Sequence, residues 1–338
     1  MLVLLLLLLS LVGAVLSVGQ ASSPRLSLGA GEQTDANLYR SIIADMHAGE
    51  SYYPAAAREL RQGHYPLKPF VTFRLPTLSW LHARLGPGAM RCAQWLLALA
   101  LILAWAVPVR IRLAPVTLIA VLLLIGAGIV GMVQPTVGLF PESWSAMLLS
   151  LAVVLDRPGQ RGWAMLSGLA ALLLRELALP MVLCFAGLAL FERRWRAAAG
   201  WGAVVALFAI ALGLHAIAVA RVVRSDDLVS LGWNGLLGPG YALRSLAIAT
   251  PATLLPTVVA ALLFTLSLFG WCSLRSAWAL RAGLMTAGYI ALLALFARTD
   301  TFYWGLMAAP LSLGGLAFVR MALADLAAAL RGVAVTVP

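Results

Sequence analysis

The sequence predicts an all-α fold: a polytopic transmembrane helical bundle of about ten spans, with one long, partly helical extracytoplasmic loop after the first span. Three observations carry this. Of 338 residues, 62% are hydrophobic and 11% charged, whereas soluble domains hold roughly 45–50% apolar and 25% charged residues. Apolar stretches long enough for roughly 30 Å of hydrocarbon recur along the chain, separated by short turns that contain arginine. The net charge of +11 is scattered as Arg at the ends of those stretches. That is the positive-inside pattern of a membrane protein, not the clustered stripe of a nucleic-acid surface.

Residues 1–19 read as a signal anchor that forms the first span. The run from Leu2 to Val18 is long and lacks a basic leader, and Gly-Gln-Ala at 19–21 is a poor cleavage site. Residues 20–91 are the one long polar stretch and are assigned to the first extracytoplasmic loop. Nine further spans are expected within 92–320, near 93–109, 113–133, 143–155, 163–174, 177–191, 198–220, 252–273, 282–297 and 302–319, before a cytoplasmic tail at 321–338. The whole forms a single membrane domain, 1–338.

The stretch 163–191 is read as two short helices. Arg157 and Arg161 precede it and Arg193, Arg194 and Arg196 follow it, and basic clusters at both ends require an even number of crossings. The turn falls at Arg175-Glu176-Leu-Ala-Leu-Pro180. With the amino terminus inside, eleven Arg lie in cytoplasmic segments and five in short outer turns, and ten of the thirteen acidic residues lie outside. The expected location is therefore the cell inner membrane, multi-pass, with acid/base groups gathered on the extracytoplasmic face.

Several features point to ordinary packing. Cys92, Cys184 and Cys272 have no paired spacing and sit in or beside apolar runs, which suits neither a disulfide framework nor a zinc site. His215 stands alone inside an apolar segment, where packing or an interhelical hydrogen bond is the usual role. Gly-Pro-Gly at 238–240 reads as a turn, and Asp226-Asp227 as a solvated loop start or a second acidic site. No phosphate-binding or dinucleotide glycine motif and no internal repeat is evident.

The loop after the first span holds most of the distinctive chemistry. Thr34 to Gly49 reads as a helix, with Thr34 or Asp35 at its start and Gly49 as its stop. Asp35, Tyr39, Ile42 and Met46 share one face of it. Asp35 is then either an N-cap or dipole partner, or a carboxylate that an apolar stripe lying on the membrane holds over a cavity between the spans. Lys68 and Arg74 are the loop's cations best placed to meet a phosphate, whether of a substrate or of lipid head groups.

The arrangement Asp35…Tyr39…Gly49…Tyr52-Tyr53…Lys68-Pro69…Arg74-Leu-Pro76, directly after the first apolar segment, resembles the first extracytoplasmic loop of GT-C superfamily glycosyltransferases. These include bacterial relatives of protein mannosyltransferases and of the aminoarabinose transferase that modifies lipid A. The resemblance covers about 60 residues of loop and implies that Asp35 is catalytic, as general base. Tyr39, Lys68, Arg74, Glu142, Arg175, Glu176 and Arg298 are the candidates for binding substrate and phosphate. The implied partners are a polyprenyl-phosphate-linked sugar, a glycan, lipid or protein acceptor, and membrane lipids. Asp35 is followed by Ala36 where the superfamily often has a second acid, so no metal ligands are assigned and a divalent cation stays open as a cofactor.

The chemistry is coherent without the name. Sugar transfer from a polyprenyl phosphate needs a carboxylate to take the acceptor's proton and cations to hold the leaving phosphate. Two other classes stay open: a transporter or flippase for a lipid-linked or small solute, and a noncatalytic envelope-assembly subunit. The topology itself is testable, with residues 20–91 outside and the carboxyl terminus inside. Reporter fusions within the loop should be active only as periplasmic reporters, and an active cytoplasmic reporter there would overturn the orientation.

Overall fold

The computed structural model describes residues 12, 13, 15–20, 34–112 and 114–331. Most of the expected first span, and residues 332–338 of the expected tail, lie outside them. Among the described residues every regular element is helical, and one isolated bridge joins Lys68 to Val229. Four helices are long and apolar enough to cross a membrane: Phe70–Arg110, Trp195–Ala220, Ala277–Phe296 and Ala309–Ala328. Five shorter apolar helices accompany them. The chain is thus an all-helical membrane protein, in which helix length and composition by themselves single out four spans.

The loop folds first into α1 (Asp35–His47) and α2 (Tyr52–Gln62). The Thr34 side chain caps α1 by accepting from the Asn37 N–H at 3.2 Å. Asp35 is therefore the first residue inside the helix, and the cap belongs to its neighbour. Ile42 and Met46 of the apolar stripe, expected on the membrane surface, instead pack into the loop itself, together with Leu38. Leu38 and Ile42 are buried with Tyr52, Ala56, Leu60, Leu67, Phe73 and Val219 in this small core, and Met46 packs against it. A loop carrying two amphipathic helices and several aromatics has enough apolar area to bury its own faces.

α3 (Thr77–Arg112) is two helices joined at Gly86, whose φ of 78° and ψ of 167° only glycine adopts without strain. Pro87 then restarts the helix. The bundle continues with α4 (Pro115–Ile129), α5 (Pro141–Leu155), α6 (Arg161–Leu174), α7 (Leu179–Phe191) and α8 (Trp195–Ala220). The stretch 161–191 doubles back, because Arg161 at the start of α6 and Arg194 just beyond α7 both approach Asp156. Arg281 joins them, with Nη2 at 2.8 Å from the Asp156 carboxylate. This end of the bundle is opposite the loop.

The later chain departs from the expected pattern. Gly238-Pro-Gly240 opens a helix, α9 (Gly238–Ile248), with Pro239 in its first turn. The expected span 252–273 starts as a 3-10 turn, Pro251–Leu254, and becomes α10 (Thr257–Ser273) only past Pro256. α11 (Ala277–Phe296) follows. The expected continuous span 302–319 is broken into a 3-10 turn at Phe302–Met307, a short α12 (Ala309–Ser312), a second 3-10 turn at Gly314–Phe318, and α13 (Val319–Leu330). Pro310 and Gly314-Gly315 do not sustain a regular helix.

The break also serves packing. The Gly315 N–H donates to the Ser267 hydroxyl at 3.0 Å, and the Trp271 indole donates to the Leu311 carbonyl at 2.9 Å. Trp271 packs with Trp105, Trp278 and Phe318 in the bundle centre. Backbones meet closely here, as small residues allow in membrane bundles. A methyl added at Gly315 would collide with the Ser267 carbonyl oxygen, and neither group is on a flexible side chain. Gly315→Ala should therefore destabilise the purified protein by about 1–3 kcal/mol, read as a lower thermal-unfolding midpoint in detergent. An unchanged midpoint would refute the close approach.

Candidate functional site

Between the loop and the bundle lies a cavity of about 940 Å³. Its wall includes Asp35 and Tyr39 from α1, Arg74 from the segment before α3, Arg175 from the α6–α7 turn, and Arg298, Asp300 and Tyr303 from the stretch after α11. Five of the eight sequence candidates, Asp35, Tyr39, Arg74, Arg175 and Arg298, thus line one space.

Asp35 and Tyr39 share the cavity because they are one helical turn apart on α1, which Leu38 and Ile42 anchor in the loop core. Burial pushes the Asp35 carboxyl above its ordinary value of 3.8. Arg74 and a hydrogen bond from Tyr65 oppose that rise, while Glu142 and Asp300 add to it. Burial likewise pushes the Tyr39 phenol up to about 12, so it keeps its proton at neutral pH.

Arg74 is held by hydroxyls. Its Nη2 donates to the Tyr303 hydroxyl at 2.9 Å and its Nε to the Tyr39 hydroxyl at 3.3 Å, while its carbonyl accepts from the Tyr52 hydroxyl at 2.6 Å. Phe140 packs against both the Tyr39 and Tyr303 rings, each at 5.6 Å between centroids. Among the ion pairs of the described residues, none places a carboxylate on Arg74. Its side-chain hydrogen-bond partners are thus neutral hydroxyls, while Asp35, Glu142 and Glu176 act on its charge through space.

The other two cavity cations are already matched. Arg175 is 2% exposed, with Nε at 2.6 Å from Glu142 and a second contact to Glu176. Glu142 and Glu176 themselves do not line the cavity; they stand behind Arg175. The Arg175–Glu142 contact is an ion pair by distance only, since neither Glu142 oxygen has a well-directed hydrogen bond. Arg298 grips Asp300 with Nε at 3.0 Å and Nη2 at 2.7 Å, and reaches Ser230 and Gly232 with Nη1. Lys68 is not in the wall: its Nζ donates to the Ser225 carbonyl at 3.0 Å.

Tyr303 and Phe140 stand in the sequence beside candidates, yet nothing there assigns them a role. Tyr303 meets Arg74 across 229 residues of sequence, a contact that no local spacing signals. Of the pair Asp226-Asp227, the first is exposed and the second is buried. Two bonds from Arg61, at 2.6 and 2.8 Å, and one from the Arg224 N–H hold Asp227, and the Arg61 bonds pull its carboxyl down to about 2. His215 bonds the Tyr53 hydroxyl through Nδ1 at 3.1 Å and packs against Phe70. Among the described residues no group of three or more His, Cys, Asp or Glu converges as a metal site. Compared with known proteins, the chain matches no protein-family model, no curated protein and no solved structure.

The raised Asp35 pKa has a thermodynamic corollary. A carboxyl whose pKa rises on folding favours the fold while protonated, below its unfolded value, and that contribution is lost as pH rises through the folded value. Above its folded value the ionised Asp35 thus works against stability. Asp35→Asn should raise the melting temperature at about pH 8, and that gain should fade on acidification to about pH 3, below the ordinary carboxyl value. A lower melting temperature at the higher pH would mean that the charge is a structural asset.

Proposed function

We propose that the chain is an integral-membrane glycosyltransferase of the GT-C type, moving a sugar from a polyprenyl-phosphate donor to an acceptor of the cell envelope on the extracytoplasmic face of a ten-span bundle. The observation that carries this reading is the pairing, in one cavity, of a half-buried carboxylate, Asp35, with a guanidinium, Arg74, that has hydroxyl partners but no carboxylate partner. One group suits a proton acceptor and the other a developing phosphate charge.

In this reading the acceptor's hydroxyl loses its proton to Asp35 as its oxygen bonds to the sugar's anomeric carbon. The bond from that carbon to the phosphate oxygen breaks, and its electron pair leaves with the phosphate. Arg74 meets that charge, with its fork set by Tyr39 and Tyr303. Attack from the side opposite the phosphate gives inversion. Arg175 and Arg298 shape the wall through their own carboxylates and contribute less net charge. A divalent cation on the leaving phosphate would add to the charge Arg74 supplies.

A second reading, a carrier or flippase for a lipid-linked solute, draws on the broken stretch Phe302–Leu330, whose first turn borders the cavity. Discontinuous helices beside a binding site are common in carriers. The two readings part on bond cleavage. Purified protein incubated with a panel of polyprenyl-phosphate sugars should release the polyprenyl phosphate, and Asp35→Asn should slow that by about 10²- to 10⁴-fold. Near-normal cleavage by the Asn variant would remove Asp35 from the mechanism. Movement of intact donor across vesicles without any cleavage would favour the carrier.

A further inference from the structure

Residues 228–240 contain no charged side chain. Of these, residues 228–237 form an irregular segment between α8 and α9 that exposes large apolar groups: Leu231 is 86% exposed, Leu236 72% and Val229 66%. Water does not tolerate such a run cheaply, at roughly 25 cal/mol per Å² of apolar surface. A contiguous exposed apolar patch marks a surface that something covers.

The exposure is built in. At one end, Asp227 is pinned to Arg61, the Leu67 and Lys68 N–H groups donate to the Leu228 carbonyl at 3.0 and 3.2 Å, and the Ser230 N–H donates to the Lys68 carbonyl at 2.7 Å. At the other end the Leu236 N–H donates to the Leu295 carbonyl at 3.2 Å. Gly235 lies so close to the Ala297 carbonyl that a Cβ would collide with it. With both ends tied down, the side chains cannot simply turn inward.

Position identifies the cover. Leu295 and Phe296, where the segment is attached, are themselves exposed at the end of α11, one of the four membrane-crossing helices. The segment therefore extends the surface that a span presents to lipid. On its inner side Ser230 and Trp233 line the cavity. A Trp with flanking leucines and no charge suits the boundary between head groups and acyl chains.

We propose that residues 228–237 form a lip embedded in the bilayer at the cavity end of the bundle, and that the cavity opens past Trp233 to lipid, so that a lipid-borne substrate is admitted sideways, with its hydrocarbon chain still in the membrane. The second half rests on the proposed lipid-linked donor; the first does not. A soluble substrate would need no apolar rim on its path, whereas a polyprenyl chain would otherwise have to leave the bilayer.

The test uses environment-sensitive labels. In a full-length background with Cys92, Cys184 and Cys272 changed to Ala, Leu231→Cys and Leu236→Cys are labelled with NBD and placed in single-chain nanodiscs. Ser225→Cys serves as the aqueous reference. Lipids carrying a shallow doxyl group should quench both lip labels and iodide should barely do so, with the reverse at position 225. Iodide quenching at the lip as strong as at position 225 would overturn the lip, and so would protection from both quenchers, which would mean that protein covers it. The route is tested separately with Leu231→Asp, which should lower cleavage of a long-chain polyprenyl-phosphate sugar severalfold and spare a short-chain, water-soluble donor. Equal loss on both donors would overturn lateral admission. If the parent protein cleaves neither donor, the glycosyltransferase reading falls and lateral admission with it, while the quenching result still decides the lip.

Discussion

A guanidinium buried in an apolar bundle must find its counter-charge nearby, and much of the cavity's architecture follows from how Arg175 does so. Its side chain is almost wholly enclosed, between Glu142 in the first turn of α5 and Glu176 in the 3-10 turn before α7. Desolvating such charges costs several kcal/mol per ion, and leaving one partner alone costs about 3–5 kcal/mol. The α6–α7 turn and the start of α5 are therefore held together at one level. Arg175 itself sits in extended backbone, φ −151° and ψ 119°, which ends α6 and turns the chain. Of this three-residue joint, Arg175 alone reaches the cavity wall.

Charge divides the two ends of the bundle. Opposite the cavity, a single fully buried carboxylate, Asp156, receives Arg161, Arg194 and Arg281 from three different segments. Cations outnumber the acid there, and the group acts as a clasp on helix ends. At the cavity end the balance reverses in character: Arg175 and Arg298 are bound to their own carboxylates, while Asp35 and Arg74 remain turned toward the space between loop and bundle. Paired charges build the frame, and the less committed ones face the cavity.

Where an apolar run is bounded by Arg or Pro, its helix can be read from the residues. The expected 163–174, 177–191 and 198–220 correspond to Arg161–Leu174, Leu179–Phe191 and Trp195–Ala220 within a few positions. Elsewhere hydrophobicity is silent about shape. Residues 302–319 are apolar enough for a span, yet Pro310, Gly314 and Gly315 break them so that a backbone can press against α10. Gly238-Pro-Gly240 carries turn chemistry and begins a helix, because proline also suits a first turn. In the site, Asp35 and Tyr39 are legible as one turn of one helix. The contacts of Arg74 with Tyr303, and of Asp227 with Arg61, join residues 229 and 166 positions apart. Only the folded chain brings those together.

α8 runs for 26 residues, about 39 Å at 1.5 Å per residue, while the hydrocarbon layer is roughly 30 Å thick. Its final turns do not end in solvent. His215 and Val219 reach into the loop, one bonded to Tyr53 and the other buried with Leu38, Phe73 and their neighbours. The helix is thus a mast stepped in the bilayer with the loop's core as its masthead. A helix longer than the local membrane tilts to fit, and any tilt of α8 moves the platform that carries α1. Membrane thickness becomes a mechanical input to the distance between the loop wall of the cavity and the bundle wall.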